Sequence, residues 1–169
     1  MHRFRHALAG LWDSLFDVNQ RPFRYLGRAL LLDLPVSFPL GMLVAFAFPG
    51  KTPQFTMPSW ALFFGLTVFS PLVETVMMLL LFALLRWFTQ RLAYTVALSA
   101  LIWAALHSLS APAWGLGVLW PFFIFSICYL RWETRSRVHA FWMTAALHAL
   151  HNMPPALLMV CASFFKPSS

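Results

Sequence analysis

Five stretches of the chain, roughly 29–48, 60–85, 92–109, 113–130 and 140–165, are apolar for long enough, or nearly long enough, to cross a bilayer, which takes about 17–25 residues per helix. Hydrocarbon offers the backbone no hydrogen-bond partners, so a run of this kind must close its own bonds as a helix. The fold class expected is therefore all-α: a polytopic integral membrane protein of five spans. Composition agrees, because only 10% of the 169 residues are charged, against about a quarter in a soluble domain.

Ahead of the first span, Phe4, Leu8, Leu11, Trp12, Leu15 and Phe16 recur at spacings of three and four, with Arg3, Arg5 and His6 beside them. That is one apolar stripe with a basic flank, the pattern of an amphipathic helix lying in the membrane interface. It gives a division into an interfacial segment, 1–25, and a single transmembrane helical domain, 26–169. The apolar positions are interrupted by Asp13, Asp17, Asn19 and Gln20, so no cleavable signal peptide is expected here. Pro35 and Pro39 should bend the first span. Asp33, drawn near its start, reads as an interfacial residue close to Arg28. Trp87 and Trp132 beside arginines read as interface anchors. Cys128 and Cys161 read as small packing residues.

The net charge of +7 is a matter of topology and contact with anionic lipids rather than of nucleic acid. With the N-terminus cytoplasmic, the inner segments hold Arg3, Arg5, Arg21, Arg24, Arg28, Arg86, Arg91, Arg131, Arg135 and Arg137, and the outer ones only Lys51 and Lys166. Ten against two is a strong positive-inside bias. It supports an odd number of spans and a C-terminus outside.

Few strongly polar side chains remain at depth: Glu74, His107, His148, His151 and Asn152. Each costs about 2–3 kcal/mol or more at the bilayer centre unless it finds a partner. With a rise of 1.5 Å per residue, Glu74 lies about 18 Å from Arg86, His107 about 24 Å from Arg91, His148 about 16 Å and Asn152 about 22 Å from Arg137. They share one slab, from the midplane into the outer half. His148 and Asn152, four apart, share a helix face, and His151 lies close to it. These groups could hold helices together through mutual hydrogen bonds. They could also do chemistry. A carboxylate can act as general base on water, and a His and an Asn can donate to an oxyanion. Two His and a Glu can ligate zinc, and such groups also line ion paths.

The arrangement resembles the CPBP (Abi) family of glutamic intramembrane proteases, which includes the CAAX prenyl endopeptidases and bacterial relatives linked to bacteriocin processing. That family carries Glu-Glu-x-x-x-Arg, then an aromatic-x-x-x-His, then His-x-x-x-Asn. Here "SPLVETVMML" supplies Glu74 after Pro71, with Thr75 and Leu79 at the second Glu and the Arg. "WAALH" supplies Trp103 and His107, and "HALHN" supplies His148 and Asn152. The resemblance covers about residues 60–160. It implies an intramembrane endopeptidase without a metal or other cofactor, in a bacterial cytoplasmic membrane. The partners implied are a membrane-anchored protein or a lipidated peptide as substrate. Glu74 would activate water, His107 would position it, and His148 with Asn152 would bind the oxyanion. Trp103 would wall the site. His151 would pack behind it or contact substrate. The incomplete first motif keeps an alternative, a non-catalytic binding or immunity protein on the same scaffold. Pro154 and Pro155 are expected to interrupt the last helix and free carbonyls near the site.

Overall fold

Pro22 opens the first spanning helix. It stands at the N-terminal position where a missing N–H costs nothing, and the helix it starts, α2 (Pro22–Ala47), is longer than the apolar run alone suggested. The computed structural model of the chain describes residues 2–55, 57 and 59–164, with the side chains of 5–55, 57 and 59–163. The side chains of Arg3 and Phe4, and all of Lys166, lie outside that range.

In chain order the elements are α1 (His2–Asp13), a 3-10 turn (Ser14–Phe16), α2, α3 (Ser59–Phe64), a π-helical turn (Gly65–Phe69), α4 (Ser70–Leu85), α5 (Leu92–Ser110), α6 (Trp114–Glu133) and α7 (Arg137–Phe164). Since α3, the π turn and α4 run on as one span, five helices among the described residues are long and apolar enough to cross a membrane. The chain is an all-α polytopic membrane protein.

The central helix is α6, which packs against α5, α7 and α2. Its apolar residues go all the way round, as a helix enclosed by others requires. Phe122, Ile124, Phe125, Ile127, Cys128, Tyr129 and Trp132 are all buried. Trp132 is thus no interface anchor: it is sealed in the core edge-on to Tyr25 at 5.4 Å, whereas Trp87 is exposed. Where α5 turns into α6 the helices touch so closely that a Cβ on Gly115 would meet the Ala104 carbonyl oxygen and the Ser108 Oγ at 2.2 Å.

The interfacial segment is anchored at its far end. Leu15 is fully buried, and Tyr25 donates to its carbonyl at 3.1 Å. Arg131 donates to the Phe16 carbonyl at 3.1 Å, and Trp12 stacks on Phe123. The first spanning helix begins after this segment, at Pro22.

The prolines of α7 do not interrupt it. The helix runs through Pro154 and Pro155 to Phe164. A transmembrane helix tolerates such residues because any non-helical path would expose still more backbone.

Candidate functional site

The two ends of the bundle differ in charge. Arg86, Arg91, Arg131, Arg135 and Arg137 stand where α4 passes to α5 and α6 passes to α7. At the opposite end the loop after α2 meets the α5–α6 turn, and the Ala113 N–H donates to the Lys51 carbonyl at 3.0 Å. Gly50 takes the left-handed conformation (φ 73°) that this loop needs. A cavity of about 540 Å³ extends to this arginine-poor end, where Thr52, Pro53, Phe55 and Trp114 line it.

Glu74, His107, His148, His151 and Asn152 all line this cavity. It lies mainly among α2, α3–α4, α6 and α7. From α5 only His107 reaches it, so the first and fourth spans matter more than the spacing argument implied, and the third less.

On the α4–α5 wall, Ser70 donates to Oε1 of Glu74, while Oε2 is buried without a hydrogen-bond partner among the described residues. Oε2 stands 3.9 Å from Nε2 of His107, too long for a direct hydrogen bond. Nδ1 of His107 is 2.9 Å from the Trp103 carbonyl oxygen one turn back. That contact makes Nδ1 the donor and leaves Nε2, in the neutral ring, as an acceptor facing the carboxylate side. Trp103 is buried and stacks on Phe122 at 4.5 Å. It does not itself line the cavity: it stands one layer behind the wall and steadies the Phe122 and His107 rings that do.

Helix α7 carries the other three groups. His148 is buried against Phe125 (4.7 Å between ring centroids) and Phe122 (5.7 Å), and its Nδ1 has no hydrogen-bond partner among the described residues. Asn152 donates through Nδ2 to the Leu66 carbonyl at 2.9 Å. That carbonyl lies in the π turn, and the reason is local. Pro71 has no N–H to give, so the turn before it lacks a backbone donor. The helix widens into π register over Gly65–Phe69, and Leu66, five residues before Pro71, accepts from Asn152 instead. Single π turns of this kind recur at functional sites. One N–H of the Asn152 amide is used here, and the amide has a second.

One residue after Glu74, Thr75 is fully buried and its hydroxyl donates back to the Pro71 carbonyl at 2.6 Å. Leu79 packs against the core. One position thus carries a self-satisfied hydroxyl and the other an apolar side chain, and neither carries a charge.

The chain matches no protein-family model, no curated protein and no solved structure.

Sequence reasoning misplaced one residue of the site. Asp33 is not interfacial. It is fully buried and its Oδ2 lies 2.6 Å from Nδ1 of His151. Its other oxygen accepts from Ser37 at 2.5 Å. Because α2 starts at Pro22 and not near residue 29, Asp33 is eleven residues into the helix, about 16 Å along its axis, and level with the other polar groups. Among the described residues no three His, Cys, Asp or Glu side chains converge as a metal site would require.

Proposed function

We propose that the protein is an intramembrane endopeptidase of the glutamic type, resembling the CPBP family, that hydrolyses a peptide bond of a membrane-anchored or lipidated protein. The observation that carries this reading is the convergence of Glu74, His107, His148 and Asn152, from three separate spans, on one cavity. Glu74 and His107 approach closely enough for one water to hydrogen-bond to both. Glu74 takes a proton from that water as it attacks the carbonyl carbon. His148 and the second N–H of Asn152 donate to the oxyanion that forms. Two of the buried polar atoms without a hydrogen-bond partner among the described residues, Oε2 of Glu74 and Nδ1 of His148, belong to cavity-lining side chains, which fits a site that completes its hydrogen bonds with water and substrate.

The cavity extends to the arginine-poor end, and substrate would enter there. With the N-terminus in the cytoplasm, as the positive-inside bias expects, that end faces outward, and the substrate is then a segment emerging on the outer side, such as a sorting tail. The unlike residues Thr75 and Leu79 favour a second reading, a binding or immunity protein that does not cut.

One comparison separates them. Protein termini are catalogued in membranes that contain the wild-type chain or Glu74→Gln at equal abundance. New termini in or beside a membrane segment, present only with wild type, are expected. Identical catalogues overturn the protease reading in favour of the binding one.

A further inference from the structure

The mechanism above leaves one buried pair without a task. Asp33 of α2 and His151 of α7 meet at 2.6 Å, far apart in sequence; His151 lines the same cavity and Asp33 stands sealed behind it. Three features separate this pair from an ordinary helix clamp. Both oxygens of Asp33 accept hydrogen bonds, one from His151 and one from Ser37, which suits the carboxylate form. Asp33 is fully buried while the His151 side chain keeps 16% of its surface, so the ring alone faces the cavity. With Nδ1 committed to Asp33, Nε2 is left without a partner among the described residues, yet it is not one of the sealed, unpartnered atoms. Phe38 lies nearly parallel to the ring and Phe125 stands edge-on to it. These fix its plane. The result is an imidazole oriented through Nδ1 by a buried carboxylate that can balance a second ring proton, with Nε2 presented to the space where substrate would lie.

Peptide hydrolysis needs such a group. A base on the water is half of the reaction; the other half is a proton for the departing nitrogen, since an amide anion is a very poor leaving group. We propose that His151 is the proton donor to the leaving amine and that Asp33, held by Ser37, is the positioning residue that balances the charge of its imidazolium. This rests on the protease reading. Water oxygen bonds to the carbonyl carbon as Glu74 takes a proton. The carbon–nitrogen bond then breaks as Nε2 of His151 gives its proton to the nitrogen. The proton on Glu74 replaces the one that His151 lost, so that one water is consumed and an acid and an amine are released. The division of labour is spatial: the base lies on the α4–α5 wall and the donor on the α2–α7 wall.

The test uses the full-length protein in detergent and two probes built on the sequence cut in the termini comparison. One ends in an aminocoumarin amide. The other ends in a hydroxycoumarin ester, whose leaving group departs as a stable anion and needs no proton. His151→Gln, which retains an N–H for Asp33, is expected to slow the amide about a hundredfold and the ester by less than about threefold, in line with the usual size of general-acid effects. Asp33→Asn is expected to show the same split. Equal loss on both probes, or no loss on either, overturns the donor role and reduces the pair to a clamp between helices; thermal unfolding of each variant identifies a loss due to misfolding. Glu74→Gln is expected to lose both probes alike. Wild-type rates from Glu74→Gln would overturn the base assignment and leave the His151 split standing by itself. Failure of the wild type on both probes would overturn the protease reading and the donor role together.

Discussion

The arginine-bearing end of the bundle and the cavity end satisfy their polar groups in opposite ways. At the first, Arg86 pairs with Glu133, and Arg137 reaches the same carboxylate at 3.6 Å. Arg131 and Arg135 spend their guanidinium groups on the carbonyls of Phe16 and Val18. Charges there are used up in tying helix ends together. At the second, a carboxylate oxygen and an imidazole nitrogen are buried with no partner, beside a cavity of about 540 Å³. A buried group without a partner costs about 1–3 kcal/mol. The arginine end is not wholly satisfied, since Nε1 of Trp132 is also buried without a partner among the described residues; the difference is that the unmet groups at the other end are an acid and an imidazole that line a cavity, and these are the groups the proposed function uses.

If the contrast is one of function against structure, substitutions at the two ends should fail differently. The largest effect is expected from Glu74→Gln, which keeps the shape of the side chain but removes the base. Cleavage should vanish while the melting temperature in detergent stays within a few degrees. Full activity in the purified variant would erase the distinction at its strongest point. Next comes His148→Ala. Losing one oxyanion donor should lower kcat about a hundred- to a thousandfold with the fold retained, more than His151→Gln costs. A smaller loss than that of His151→Gln would show that the wrong imidazole has been assigned to the oxyanion.

Between the two ends lies a purely steric case. Gly115→Ala puts a methyl group 2.2 Å from a backbone carbonyl oxygen. The α5–α6 contact must open, at about 1–3 kcal/mol. A lowered thermal midpoint is expected, and an unchanged one would mean that the hairpin yields freely. The smallest effect belongs to the arginine end. Glu133→Gln removes the shared partner of Arg86 and Arg137 and should cost about 1 kcal/mol or less, since one arginine is exposed. Activity per folded molecule should not change. A loss of turnover there without a loss of stability would mean that the two ends are coupled.

Much of this arrangement could be read from residue order. Five spans, the slab of polar groups and the shared face of His148 and Asn152 follow from apolar run length and helix periodicity. What escaped had definite physical causes. Asp33 was misjudged because hydropathy locates the apolar run but not the helix, and α2 begins at Pro22, seven residues earlier. The π turn follows from Pro71, which was visible, but the donor that makes it tolerable comes from Asn152, more than eighty residues away. Trp103 sits one turn from His107 as its spacing requires, but which of the two faces the cavity is decided by Phe122 on a neighbouring helix. Pro154 and Pro155 carry a strong local signal for a break. The surrounding bundle overrides it.

Helix α7 carries three of the cavity's polar groups, and two of them hydrogen-bond across to α2 and to the π turn. The three side chains are therefore ganged on one rigid shaft. An advance of α7 by a single residue is a slide of about 1.5 Å with a rotation of about 100°. It would withdraw His148, His151 and Asn152 at once, breaking the bond to Asp33 and the bond to Leu66 in the same movement. Such a mechanism has no half-assembled setting. Anything that grips the exposed flank of α7, whether a lipid, a neighbouring helix or a sibling protein, would act on it as a latch acts on a bolt.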